Sequence, residues 1–192
     1  MKPDPSACAA LITAAGLSSR MGKLKALLDW RGKPLLLHQM EVLAGFGQII
    51  VVTGFEAEKI RPYLLPPVTE AYNENYLSGR TGSLKRGFSS VKPGSSVLIC
   101  GVDQPMDFGL PEKLLEALGG HAFAFPVFGG KKGHPLFFNG RLLSELLEIE
   151  EESEGLRAIA RKYSGEAIAV PWESSSVLAD LNNPADFAAW KG

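Results

Sequence analysis

Ala9-Ala-Leu-Ile-Thr-Ala-Ala15-Gly16-Leu-Ser-Ser-Arg20-Met-Gly-Lys23-Leu-Lys25 joins an unbroken apolar run to a turn rich in glycine, serine and cations. The run has the length of one strand and lacks polar alternation, so both of its faces should be covered. Glycine and serine in the turn let main-chain amides approach an anion closely, and Arg20 and Lys25 add the charge that amides lack. A strand feeding such a turn is a polyphosphate site, and a nucleotide is the expected ligand. Arg20 offers a two-pronged grip and Lys25 a movable point charge, while Lys23 reads as a solvated neighbour. The loop has neither the Gly-x-x-x-x-Gly-Lys-Ser/Thr nor the Gly-x-Gly-x-x-Gly spacing. That disfavours a P-loop NTPase and a nicotinamide-dependent dehydrogenase.

Outward from this stretch, short apolar runs alternate with helical patterns. Strands are expected at Ala9–Ala14, Gln48–Thr53, Thr69–Tyr72, Ser96–Gly101, Ala122–Pro126, Leu136–Phe138, Ala167–Val170 and Val177–Leu181. Helical spacing marks Pro34–Ala44, Gly82–Ser90, Pro111–Leu118, Arg141–Glu148 and Leu156–Tyr163. A last helix should start at Asn183-Pro184-Ala-Asp186, with a capping side chain, Pro at the first position and an acid in the first turn. Runs such as Ile49-Ile-Val-Val52 and Val97-Leu-Ile-Cys100 are continuously apolar. The expected fold is therefore α/β: three layers, α/β/α, around a mainly parallel, Rossmann-like sheet in one domain spanning 1–192.

Composition narrows the partners. A net charge of −1 gives no bulk attraction for nucleic acid or an anionic membrane, so a polyanion must be met by a local cluster. No apolar run approaches the ~20 residues that cross a bilayer. The apolar segment near the N-terminus runs directly into the Arg/Lys turn, which argues against a cleaved leader, and a cytoplasmic location is expected. Cys8 and Cys100 lie in apolar runs without metal-ligand spacing and are expected to be buried free thiols.

In open α/β sheets ligands sit beyond the carboxyl ends of the strands. There the sequence places Gly16–Lys25, Thr53, Asn73, Asp103 and Asn182. Asp103 ends an apolar run and precedes Gln104-Pro105. A carboxylate at that edge beside a polyphosphate suits Mg²⁺, although a turn-capping aspartate would look the same. Asp180 and Asn182 are two apart on the expected strand and so share a face. The segment Asn73–Lys85, which includes Ser83, is polar enough to read a base or ribose and would also pass for an ordinary loop. His134, in Gly133-His-Pro135, could touch an acceptor, although a loop histidine is more often simply solvated.

These residues together resemble the MobA-like nucleotidyltransferase family, closest to its molybdenum cofactor cytidylyltransferase branch. The resemblance is carried by Leu11, Ala14, Ala15, Gly16, Ser18, Arg20, Met21, Gly22 and Lys25. It continues through Pro34-Leu-Leu36, Asn73 with Gly79 and Ser83-Leu-Lys85, Asp103-Gln-Pro105, Gly133-His-Pro135, Gly155 with Arg157, and Asp180 to Asp186. It implies transfer of a nucleoside monophosphate, CMP from CTP, to a phosphorylated acceptor such as molybdopterin, with release of pyrophosphate. By position, Leu11, Ala14, Ala15, Gly16, Ser18, Thr53, Asn73 and Ser83 would surround the nucleotide. Arg20, Lys25 and Asp103 would act on its phosphates, Asp103 and Asn182 would hold Mg²⁺, and His134, Arg157 and Asp180 would face the acceptor. A partner enzyme would receive the finished cofactor. Ala15 matches the cytidylyl branch, whereas Asn182-Asn183 replaces the Asp-Thr usual there, and the guanylyl branch commonly carries Asn. A guanylyltransferase, transfer to a sugar or polyol phosphate, and a non-catalytic nucleotide-binding protein of the same fold are the competing readings.

Overall fold

The first strand, β1 (Ala9–Thr13), is apolar and buried from Ala9 to Ile12, as suits the centre of a sheet with helices on both sides. In the computed structural model, which describes residues 3–190, it pairs in parallel with β4 (Gln48–Thr53) on one flank and β6 (Val97–Gly101) on the other. Between β1 and β4 come a short hairpin, β2 (Asp29–Trp30) and β3 (Lys33–Pro34), and helix α1 (Leu35–Val42). A brief α2 (Ala57–Ile60) precedes β5 (Thr69–Tyr72), and α3 (Arg80–Phe88) precedes β6. Helix α4 (Leu110–Leu118) then leads to β7 (Phe123–Phe128), β8 (Lys131–Lys132), β9 (Leu136–Phe138) and α5 (Leu143–Leu147). The chain closes with α6 (Leu156–Lys162), β10 (Ala167–Pro171) and α7 (Pro184–Trp190).

The sheet order is β10-β7-β9-β6-β1-β4-β5, with β8 attached to β7. The half from β6 to β5 is parallel, and β9 runs antiparallel to both β6 and β7. Successive β1 residues enter opposite cores. Ala10 and Ile12 pack with Leu36 and Val42 of α1 and Leu110 and Leu114 of α4. Ala9 and Leu11 pack with Leu84 and Phe88 of α3 and Leu143 and Leu146 of α5. This is the expected three-layer α/β/α arrangement. Gly87 shows how close the layers come: a Cβ there would lie 2.3 Å from Leu11 Cδ1, so any side chain would push α3 off the sheet.

The expected strand Val177–Leu181 does not form. Ser174 accepts the Ser176 amide at 3.1 Å and starts a 3-10 turn over Ser175–Leu178 instead. Local serine capping overrides the apolar alternation there. The last helix begins as its sequence indicates, with Asn183 Oδ1 accepting from the amides of Ala185 and Asp186 at 2.9 and 3.0 Å. Cys8 and Cys100 are buried free thiols, and burial pushes Cys100 up to about 12. Among the described residues no helix is long and apolar enough to cross a membrane.

Candidate active site

The chain leaves β1 toward α1 and β4 on one side, and β6 lies on the other, so β1 and β6 flank the point where the strand order reverses. Crevices form at such points. Thr13 stands opposite Gly101 in register, and the Val102 amide donates to Thr13 O at 3.0 Å. Two connections therefore leave the sheet side by side, and between them opens a cleft of about 580 Å³.

One wall is the loop from Ala14 to Lys25. The Ala14 amide still bonds Val52 O at 2.8 Å, but among the described residues none of the amides from Ala15 to Arg20 donates to another group. Ser18, at φ 52°, turns the loop: its carbonyl accepts from Met21 and Gly22, and its Oγ accepts the Lys25 amide at 3.2 Å. The result is a run of free donors facing a cleft, with the Arg20 side chain among them.

The other wall is tightly held. Gln104 Oε1 accepts the Gly101 amide at 2.9 Å, and Asp103 folds back so closely that a Cβ on Gly101 would meet its Oδ1 at 2.4 Å. From α1, the fully buried Gln39 donates to Gln104 O at 2.7 Å and to Gly101 O at 3.3 Å, and accepts the Met106 amide at 3.1 Å. The Leu181 amide donates to Asp103 O at 2.9 Å, which brings the C-terminal segment into the site. Lys25 closes the seam between the walls. Its Nζ lies 2.6 Å from Asp103 Oδ2 and 2.8 Å from Asn182 Oδ1, with the Lys25 side chain 14% and the Asp103 side chain 22% exposed. At that exposure the pair is shielded from water, unlike an ordinary surface ion pair.

The cleft thus gathers Ala14, Ala15, Gly16, Ser18, Arg20 and Lys25 with Ser83, Asp103, Asp180 and Asn182, all expected there. Other expectations are corrected. Leu11 is a core residue against α3, and Thr53 is buried with its hydroxyl given to Glu70 Oε1 at 2.5 Å, so neither side chain reaches the cleft. Asn73 is buried too and does not line the cleft, but its Nδ2 donates at 3.0 Å to the Oγ of Ser83, which does. Arg157 is exposed on α6 and does not line the cleft. Asp180 and Asn182 meet through a tight turn, Asn182 N to Asp180 O at 2.9 Å, instead of sharing a strand face. His134 is half-buried and does not line the cleft: burial, then the Arg80 charge, pushes its imidazole below the usual histidine value, against the pull of Asp180 and Asp103. Two residues escaped the sequence reading. Gln39 lay within a helical pattern, and Arg80 within a loop read for its Ser, Thr and Asn; Arg80 directly follows Gly79, which was the one available signal.

The family model for the MobA-like NTP transferase domain matches residues 10–168. The chain belongs to this family. It is thereby a nucleotidyltransferase by kinship. Molybdenum cofactor cytidylyltransferase of Escherichia coli (strain K12) is 26% identical over 189 residues, covering 97% of this chain and 96% of that protein. Molybdenum cofactor guanylyltransferase of Ectopseudomonas mendocina (strain ymp) is 31% identical over 193 residues, covering 95% and 90%. Among solved structures, a nucleotidyl transferase from Methanothermobacter thermautotroptrophicus superposes with a TM-score of 0.77 at 23% identity, covering 96% of this chain and 95% of that one. That likeness speaks for the shared fold.

Proposed function

We propose that this protein transfers CMP from CTP to the phosphate of molybdopterin or a molybdenum cofactor and releases pyrophosphate. The observation that carries this reading is the pairing, across one cleft, of the free amides Ala15–Arg20 with the Lys25–Asp103–Asn182 cluster. An oxygen of the acceptor phosphate attacks the α-phosphorus and forms a P–O–P linkage. The bond from that phosphorus to the α–β bridging oxygen breaks, and its electron pair leaves with pyrophosphate. A phosphate monoester is already largely dianionic near neutral pH, so no strong base is required. The loop amides and Arg20 bind the triphosphate, and Lys25 places its charge where negative charge develops.

The donor set fits Mg²⁺. Asp103 Oδ2 and Asn182 Oδ1 converge on one cation, the Lys25 ammonium, within 2.8 Å, and both are hard oxygens. Among the described residues no group of three or more His, Cys, Asp or Glu could form a metal cage. This suits an ion held by one or two protein oxygens together with water and substrate phosphates. When bound there, Mg²⁺ would neutralise phosphate charge and polarise the α-phosphate.

The cytidine assignment follows Ala15 and the name of the Escherichia coli relative. Asn182, a neutral residue, together with the 31% identical guanylyltransferase, favours GTP as the second reading. A cytoplasmic enzyme that hands its product to a partner enzyme completes the proposal, supported by two free buried thiols. The test is pyrophosphate release with CTP, GTP and UTP, each with and without molybdopterin and Mg²⁺. Release with CTP, dependent on both additions, is expected. Release with GTP but not CTP would overturn the base assignment, and none with any nucleotide would overturn the acceptor.

A further inference from the structure

Two guanidinium groups remain in the cleft once its internal contacts are counted. Lys25 is matched by Asp103, whereas the Arg20 and Arg80 side chains line the same cleft without a hydrogen bond or ion pair among the described residues. They come from different elements. Arg20 sits in the loop of free amides, and Arg80 opens α3 after the sharp backbone turn at Gly79, φ 110°.

Their surroundings also differ. The Arg80 charge is felt by Glu151 at the helix end as well as by His134 and by Cys100 of β6. Arg80 lines the cleft together with Ser83, Asp103 and Asp180. The helix end beside it is already filled: Glu151 Oε2 accepts the Thr81 amide at 2.8 Å, and its carboxylate would lie 2.8 Å from a Cβ on Gly79. With Glu151 on the Thr81 amide, the donor that α3 offers the cleft is the Arg80 guanidinium, whose charge also offsets that carboxylate.

Phosphoryl transfer places the attacking and leaving oxygens roughly in line across the phosphorus. With the leaving pyrophosphate drawn to the loop amides and Arg20, the incoming phosphate needs a cation from another element. Resting on the transferase reading above, we infer that Arg80 binds the acceptor's phosphate monoester and orients it toward the α-phosphorus. Its planar fork can hold two oxygens at once, which a lysine cannot do.

The test fills the nucleotide site of the full chain with Mg²⁺ and a nucleotide analogue whose α–β bridging oxygen is a methylene, with cytosine or guanine according to which base the wild type binds. Methyl phosphate is then titrated as the stand-in for the acceptor. The wild type is expected to bind it, and Arg80→Ala to weaken that binding about tenfold or more while analogue affinity moves less than about twofold. Arg80→Lys recovers part of the loss, and Arg20→Ala gives the reverse pattern. Absence of methyl phosphate binding in the wild type, indifference of that binding to Arg80→Ala, or an equal loss of analogue binding would each overturn the assignment. Turnover separates this idea from the one beneath it. If the wild type ignores molybdopterin, that acceptor is wrong and the methyl phosphate result alone decides Arg80. If it turns over, Arg80→Ala should raise the acceptor KM and leave the nucleotide KM in place.

Discussion

The two walls of the cleft are built to opposite plans. The loop after β1 leaves its amides unpaired from Ala15 to Arg20, and nothing lies within 4 Å of where a Cβ on Gly16 would be. The wall after β6 leaves almost nothing unpaired: Gln39, Gln104 and the Leu181 amide hold the turn around Asp103 from three directions. In the proposed function the unpaired donors would take up a polyanion, while a cross-braced turn keeps a carboxylate in place, which would limit reorganisation during reaction. Binding and positioning would thus be divided between neighbouring strand ends, with Lys25 spanning the two walls.

The sharpest way to break this division is to remove the groups at the seam. Asp103→Ala and Lys25→Ala should each lower pyrophosphate release about a hundredfold or more, the usual scale of ~3 kcal/mol for one charge-stabilising contact in a transition state. Asp103→Ala should do so with little change in nucleotide affinity, because the loop amides are untouched. A Lys25→Ala enzyme that keeps more than half its rate would show that the walls work without the bridge.

A smaller effect tests the bracing itself. Gln39 does not line the cleft, yet its amide makes three hydrogen bonds to the turn that presents Asp103. Gln39→Leu fills similar space but strands buried carbonyls and an amide, each costing roughly 1–3 kcal/mol. The variant should melt several degrees lower and lose kcat more than nucleotide affinity. Gln39→Glu, which keeps the acceptor for the Met106 amide, should fall between. A lower melting point with unchanged kcat would make Gln39 a matter of folding alone.

This contrast also explains what could be read from the chain. The parallel half of the sheet is legible because double-sided burial writes itself as runs such as Val97–Cys100. The loop wall is legible because glycine, serine and cations sit together in sequence. The braced wall is not, because its contacts span distance: Gln39 and Gly101 are 62 positions apart, and nothing near Gln39 marks it as more than a helix residue. The same holds for Lys25 and Asn182, 157 positions apart. The strand expected at Val177–Leu181 failed because apolar alternation there reflects docking of Val177 and Leu181 into two separate cores. Hairpin β2–β3 and strand β8, two residues per strand, are too short for periodicity to register.

The smallest expected effect is a pH dependence to which the braced wall contributes. His38 of α1 is buried, and its Nε2 lies 2.9 Å from Met106 O, in the same turn that Gln39 holds. Burial lowers its pKa below the ordinary 6.5, with the Met106 carbonyl opposing the shift. The folded protein therefore binds fewer protons at this site than the unfolded chain does. The stability it contributes is complete above pH 6.5 and declines as pH falls from there toward the lower folded value. His134 shifts in the same direction and adds to the decline. The urea midpoint of the wild type should drop between about pH 7.5 and 5, and His38→Gln should flatten that slope even if its midpoint is lower throughout. Parallel lines for the two proteins would clear His38 of any part in the titration. Arg20, on the loop wall, has no hydrogen bond or ion pair to either histidine among the described residues, so Arg20→Ala should leave the slope as it is.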